Sequence, residues 1–148
     1  MKTTLFLISS MAIVLMVLQN PNVDFSKDHE EGIQFHKGSW NEALELAKKD
    51  NKIIFLDIYA TWCGPCKRLK SNTFSIEAVG EFYNPNFINV AMDGEKGEGP
   101  ELARKFGVRS YPTLLFIDSK EKLIAGTAGF HNPKEFLHLG QKVLKKAN

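Results

Sequence analysis

Residues 53–59 read Ile-Ile-Phe-Leu-Asp-Ile-Tyr, a run too short for a buried helix and too continuously apolar for a strand with one wet face. Such a run is a central strand covered on both sides, so helices must pack on both faces of its sheet. It leads directly into Trp62-Cys63-Gly64-Pro65-Cys66-Lys67, which holds the only two cysteines of the 148-residue chain. Two thiols two residues apart, with no third or fourth, suit a dithiol that opens and closes and do not suit a structural zinc site. A bridge closing so small a loop restricts little of the unfolded chain, so this spacing favours exchange chemistry over stapling.

The rest of the chain alternates strand and helix signals. Ile33-Gln34-Phe35 alternates as a short edge strand. Ser39 and Glu42 have capping-box spacing, and Trp40, Ala43, Leu44 and Ala47 form a helical stripe ending near Asp50-Asn51. A second helix follows Cys63 and runs to about Gly80, with a break or bend at Ser71-Asn72-Thr73. Residues 87–92 are the next strand, and the polar, glycine-rich segment 93–99 is a solvated loop. It lacks the Gly-Lys-Ser/Thr ending of a phosphate loop, and its glutamates repel anions. Pro100 opens a short helix closed by Gly107. Residues 113–117 and 122–127 form an antiparallel pair. Asn132, Pro133 and Glu135 then start a last helix whose inner face holds Phe136, Leu137, Leu139, Val143 and Leu144.

The N-terminus has a different character. Met1-Lys2 precedes Thr3 to Leu18, an uncharged run of signal-peptide length that falls short of a comfortable bilayer span. Residues 1–20 are therefore expected to be a signal peptide or an N-terminal membrane anchor, residues 21–32 a flexible lead, and residues 33–148 the folded domain. No cysteine lies near the run for a lipid anchor. The expected location is the periplasm or another extracytoplasmic space, soluble after cleavage or tethered by residues 3–18. A formal charge of +2 with mixed Lys and Glu gives no basic stripe, so no nucleic-acid partner is expected. None of His29, His36, His131 and His138 has ligand spacing beside the cysteines, so no metal and no cofactor is expected.

This order of elements resembles the thioredoxin family, whose α/β fold is a central mixed β-sheet flanked by helices on both faces. The resemblance covers about residues 33–146. It rests on Asp57 in the strand before the motif, Ala60-x-Trp62-Cys63-Gly64-Pro65-Cys66-Lys67, Val108-Arg109-Ser110-Tyr111-Pro112-Thr113, and Gly129 after the last strand. The segment with Trp40, Ala43-Leu44, Ala47-Lys48 and Lys52 is similar to exported bacterial thioredoxin-like proteins. Some of those resemble the C-terminal domain of disulfide-transferring membrane reductases.

The resemblance implies roles. Cys63, at a helix mouth that favours a thiolate, is the attacking thiol, and Cys66, one turn in and more buried, resolves the mixed disulfide. Asp57, costly in an apolar strand unless paired or protonated, serves Cys66 as a base through water. Trp62 forms a lip of the site. Gly64 leaves Cys63 open to a client, and Pro65 stiffens the first turn. Lys67 and Arg68 either add positive potential or are solvated helix charges. Pro112 is cis, and the Tyr111 backbone pairs with the client strand. Asn89 stands where the family usually has a lysine facing the aspartate.

The implied function is reduction of disulfides in exported clients by a redox-active Cys63-Cys66 pair. An upstream thiol donor, such as a membrane disulfide-transferring reductase, would recharge it, and the chain would act as a monomer. The alternatives are a disulfide oxidase or isomerase, and a non-catalytic module that binds clients beside Pro112.

Overall fold

The computed structural model describes residues 31–147. The apolar run 3–18, the expected boundary at residue 20 and all but the end of the 21–32 lead lie outside the described residues. The elements are α1 (Trp40–Asp50), β1 (Ile53–Tyr59), α2 (Gly64–Leu69), a π-helical turn (Lys70–Phe74), α3 (Glu77–Asn86), β2 (Phe87–Asp93), α4 (Gly99–Lys105), β3 (Thr113–Ile117), β4 (Leu123–Ala128) and α5 (Pro133–Ala147).

The four strands form one mixed sheet in the order β2-β1-β3-β4. β1 is parallel to β2 and antiparallel to β3, and β3 is antiparallel to β4. The side chains of β1 alternate between two separate cores, as a strand's period of two requires. Ile54, Leu56 and Ile58 pack with Trp40, Ala43 and Ala47 of α1 and Leu102 of α4. Phe55 points the other way, among Leu69, Phe74, Val79, Tyr83, Phe116, Phe136 and Val143. Its ring centroid lies 5.2 Å from Phe136, 5.4 Å from Tyr83 and 5.8 Å from Phe74. The continuous apolar run is therefore a strand covered on both faces.

The caps follow the sequence closely. The Ser39 hydroxyl accepts from the Glu42 N–H, and the Ser39 N–H donates back to Glu42 Oε2 at 2.7 Å. Asn51 ends α1 in the left-handed region at φ 50°. At the last helix, Asn132 and Glu135 exchange the corresponding pair of bonds, both at 3.0 Å.

Three expectations need correction. Residues 33–35 form no strand. The His36 N–H bonds to the β2 backbone at Asn89 O (2.8 Å), but the Ile33 N–H goes to Phe74 O (2.7 Å). The Gln34 N–H goes instead to the Asn84 side chain (2.9 Å), and Asn89 Nδ2 caps Gln34 O (3.4 Å). Side-chain amides thus replace the ladder. Second, helix does not stop at Gly80 but resumes after the break and runs to Asn86, continuing the buried stripe through Val79 and Tyr83. Gly80 is there for close approach: a Cβ on it would overlap the backbone oxygen of Gly32. Third, the last strand is shifted by one residue, to Leu123–Ala128. Lys122 belongs to the turn, with its N–H donated to Asp118 Oδ1 at 2.9 Å.

Gly80→Ala should lower stability by about 1–3 kcal/mol through overpacking against Gly32, although alanine is the better helix former by about 1 kcal/mol. The check is a urea titration, where the midpoint should fall with the slope unchanged. An equal or higher midpoint would contradict the close approach.

Candidate active site

Asp57 is the one charged-type residue of β1, and it lies on the Phe55 side of the strand. Directly across from it are Ala91 on β2 and Leu114 on β3. It is 6% exposed, and its Oδ1 has no hydrogen-bond partner. Burial alone pushes its carboxyl up to about 7, because removing water penalises the charged form. Asn89 pairs with Phe55, two positions before Ala91 on the same face. Its Nδ2 bonds to Gln34 O and to Asn84 Oδ1 (3.1 Å). Neither Asn89 nor Ala91 offers Asp57 a charge. A cavity of about 380 Å³ joins Asp57 to Cys66, walled by Phe35, Phe74 and Ala91 with Lys67 and Lys70 also lining it.

The cysteines lie where β1 gives way to α2. Cys63 is the N-cap of α2, and its Sγ accepts from the Cys66 N–H at 3.1 Å. Pro65 lies in the first turn, where its missing N–H costs nothing. Cys63 and Cys66 form a disulfide with Cα atoms 5.3 Å apart. The expected order of burial is reversed in this oxidised form: Cys63 is 3% exposed and Cys66 8%. Cys66 opens onto the Asp57 cavity, whereas Cys63 is packed with Ala60 among Tyr59 and Tyr111. Gly64 has open space where a Cβ would stand, so nothing covers the turn on that side.

Two more segments complete the surroundings. The Tyr111-Pro112 peptide is cis. Pro112 O accepts from the Gly129 N–H at 2.9 Å, and Gly129 has φ 88°, which suits glycine. Trp62 is 67% exposed and meets Tyr111 edge-on at 6.1 Å. The fold therefore gathers Asp57, Trp62, Cys63, Gly64, Pro65, Cys66, Tyr111, Pro112 and Gly129 from three separate stretches of chain.

Sequence reasoning missed several neighbours. Arg68 is not simply a solvated charge or a field on the thiol: its guanidinium lies 4.6 Å above the Phe130 ring. The loop 93–99 is not merely solvated, since Glu95 accepts from the Trp62 indole and Gly94 lies against the Tyr111 ring. Three glycines within 93–99 were the available signal, because they permit close approach as well as flexibility. Among the described residues, no group of three or more His, Cys, Asp or Glu is placed to hold a metal ion.

Comparison with known proteins agrees with this geometry. The profile of the thioredoxin-like domain family matches residues 40–144. Thioredoxin-1 of Drosophila melanogaster is 38% identical over 84 residues, which are 57% of this chain and 72% of the fly protein. The thiol:disulfide interchange protein DsbD of Haemophilus influenzae is 34% identical over 102 residues, covering 67% of this chain but 18% of that longer protein. A solution structure of a Bacteroides thetaiotaomicron protein proposed as a disulphide-isomerase is 42% identical. It superposes with TM-score 0.69 over 78% of this chain and 95% of its own.

The raised Asp57 carboxyl has a consequence for stability. Its folded value, about 7, lies above its ordinary value of 3.8. Below the lower value both folded and unfolded chains keep the proton. As pH rises, the unfolded chain ionises first, so this group's effect is a loss of stability up to about neutrality and a plateau above. Asp57→Asn cannot ionise. In the oxidised chain it should gain on the parent by a few kcal/mol between about pH 4 and pH 8, read from paired denaturant titrations. A pH-independent gap would contradict the shift.

Proposed function

This chain belongs to the thioredoxin-like domain family, and on that premise we propose that its Cys63–Cys66 pair reduces disulfides in exported client proteins. The protein is a thiol:disulfide oxidoreductase; the reducing direction, the clients and the individual roles are our reading. In the reduced chain Cys63, at the start of α2, attacks one sulfur of a client disulfide lying along Tyr111-Pro112. A mixed disulfide forms, and the other client sulfur leaves as a thiolate. Cys66 passes its proton to Asp57 and attacks Cys63 Sγ. The first client sulfur then leaves as a thiolate and takes up the proton that Asp57 received, and Cys63–Cys66 is oxidised to the disulfide seen here. An upstream thiol donor returns two electrons.

The observation that carries the reading is a buried carboxyl, unpartnered at Oδ1, that shares a cavity with Cys66. A base whose carboxyl titrates near neutrality can accept a thiol proton and release it again. The likeness to DsbD supports a donor of the thiol:disulfide interchange class. Export rests on residues 1–20 as read from sequence. Among the described residues no helix is long and apolar enough to cross a membrane. Monomeric action is part of the same reading. Isomerisation is the second reading, favoured by what the Bacteroides relative is proposed to be.

With dithiothreitol as electron source, the chain should reduce insulin disulfides. Cys66→Ser should accumulate mixed disulfides with clients on a non-reducing gel, and Cys63→Ser should not. Equal trapping by both variants, or by neither, would sink the assignment of roles. No turnover with both thiols titratable would favour a client-binding module.

A further inference from the structure

The glycine-rich loop between β2 and α4 builds one wall of the site, and the thiol chemistry does not use it. Its backbone is tied down at several points. The Gly94 N–H donates to Tyr59 O at the end of β1 (2.8 Å), and the Lys96 N–H donates to Asp93 O (3.1 Å). The Glu95 N–H donates to Asp93 Oδ1 at 2.9 Å. A Cβ on Gly94 would come within 2.5 Å of the Tyr111 ring, so the loop lies directly against the residue that precedes Pro112.

This anchoring delivers the Glu95 carboxylate to an otherwise exposed side chain. Trp62 Nε1–H is shared between Glu95 Oε1 (3.2 Å) and Oε2 (3.1 Å). With Tyr111 packed against its ring at 6.1 Å, the indole is held from two sides immediately before Cys63. An indole N–H is neutral, so the bond leaves the charge of Glu95 uncompensated. Among the described residues, the ion pairs are Lys48–Glu45 and Lys105–Glu121, and neither involves Glu95. A negative charge therefore stands at the Trp62 indole, the side chain that directly precedes Cys63 in the chain.

We propose that Glu95 positions Trp62 as a groove wall and selects clients with a lysine or arginine beside the disulfide. This rests on the exchange reading above. The effect belongs to encounter and binding, so it should appear in KM more than in kcat and weaken as salt screens it.

The test uses three peptides with one common disulfide and a flanking Lys, Gln or Glu, reduced by the full chain. The parent should rank them Lys, Gln, Glu in kcat/KM, with about a two- to fivefold spread at low salt, as expected for one exposed charge pair. Glu95→Gln keeps an acceptor for the indole and should flatten the ranking. Glu95→Ala should also shift the NMR signal of the Trp62 indole N–H. The signal of Trp40, bonded to Glu121 Oε1 at 2.8 Å, should stay in place. Glu45→Gln removes an equal charge from exposed α1 and should preserve the ranking. A flat ranking in the parent, or one that survives Glu95→Gln, overturns the proposal. An unmoved Trp62 signal in Glu95→Ala overturns the positioning. If the reduced parent turns over none of the three peptides, the exchange reading falls and this proposal with it.

Discussion

Everything at this site depends on keeping β1 dry. The strand is covered on both faces, with Ile54, Leu56 and Ile58 in one core and Phe55 in the other. A carboxylate in that position would be costly, and Asp57 has neither a hydrogen bond at Oδ1 nor a counter-charge across the sheet. Its carboxyl therefore holds its proton toward neutrality. The cost to the fold and the usefulness to the chemistry have one origin. In the role proposed for Asp57, a carboxyl that ionised at its ordinary value would be a weaker proton acceptor for a thiol, and one on the protein surface would be too far from Cys66.

The same strand also organises the reactive surface. Its C-terminal end turns into the N-cap at Cys63, and Tyr59 O holds Gly94 in place. Tyr111 then bridges two elements, since it packs over the cysteines and against Gly94. The start of α2 thus carries the two sulfurs, and the loops beside it, set on a rigid scaffold, carry Tyr111 and Gly94. Arg68 of α2, over Phe130, and Thr73 of the π-helical turn, whose Oγ1 donates to His131 O (2.6 Å), tie this stretch to the segment after Gly129.

Much of this could be read from the residues because local signals and tertiary needs coincide. Ser39 with Glu42, and Asn132 with Glu135, mark helix starts by bonds that need no distant partner. The apolar run of β1 announced two covered faces, and an aspartate within it announced a perturbed carboxyl. The misreadings arose where a distant residue decides the outcome. Gly80 looks like a helix stop until Gly32 is seen against it. Ile33-Gln34-Phe35 looks like a strand until Asn84 and Asn89 take its backbone bonds. The relative exposure of Cys63 and Cys66 depends on a cavity that no local pattern encodes. Glu95 was hidden for the same reason, since its partner Trp62 lies 33 positions away.

The proposed reductant couples a buried proton acceptor to a dithiol that gives up electrons, and the reduction potential of Cys63–Cys66 tests that most directly. Equilibration against glutathione or dithiothreitol buffers should place it near the thioredoxin value of about −270 mV. A value near about −120 mV, that of a strong disulfide donor, would contradict it.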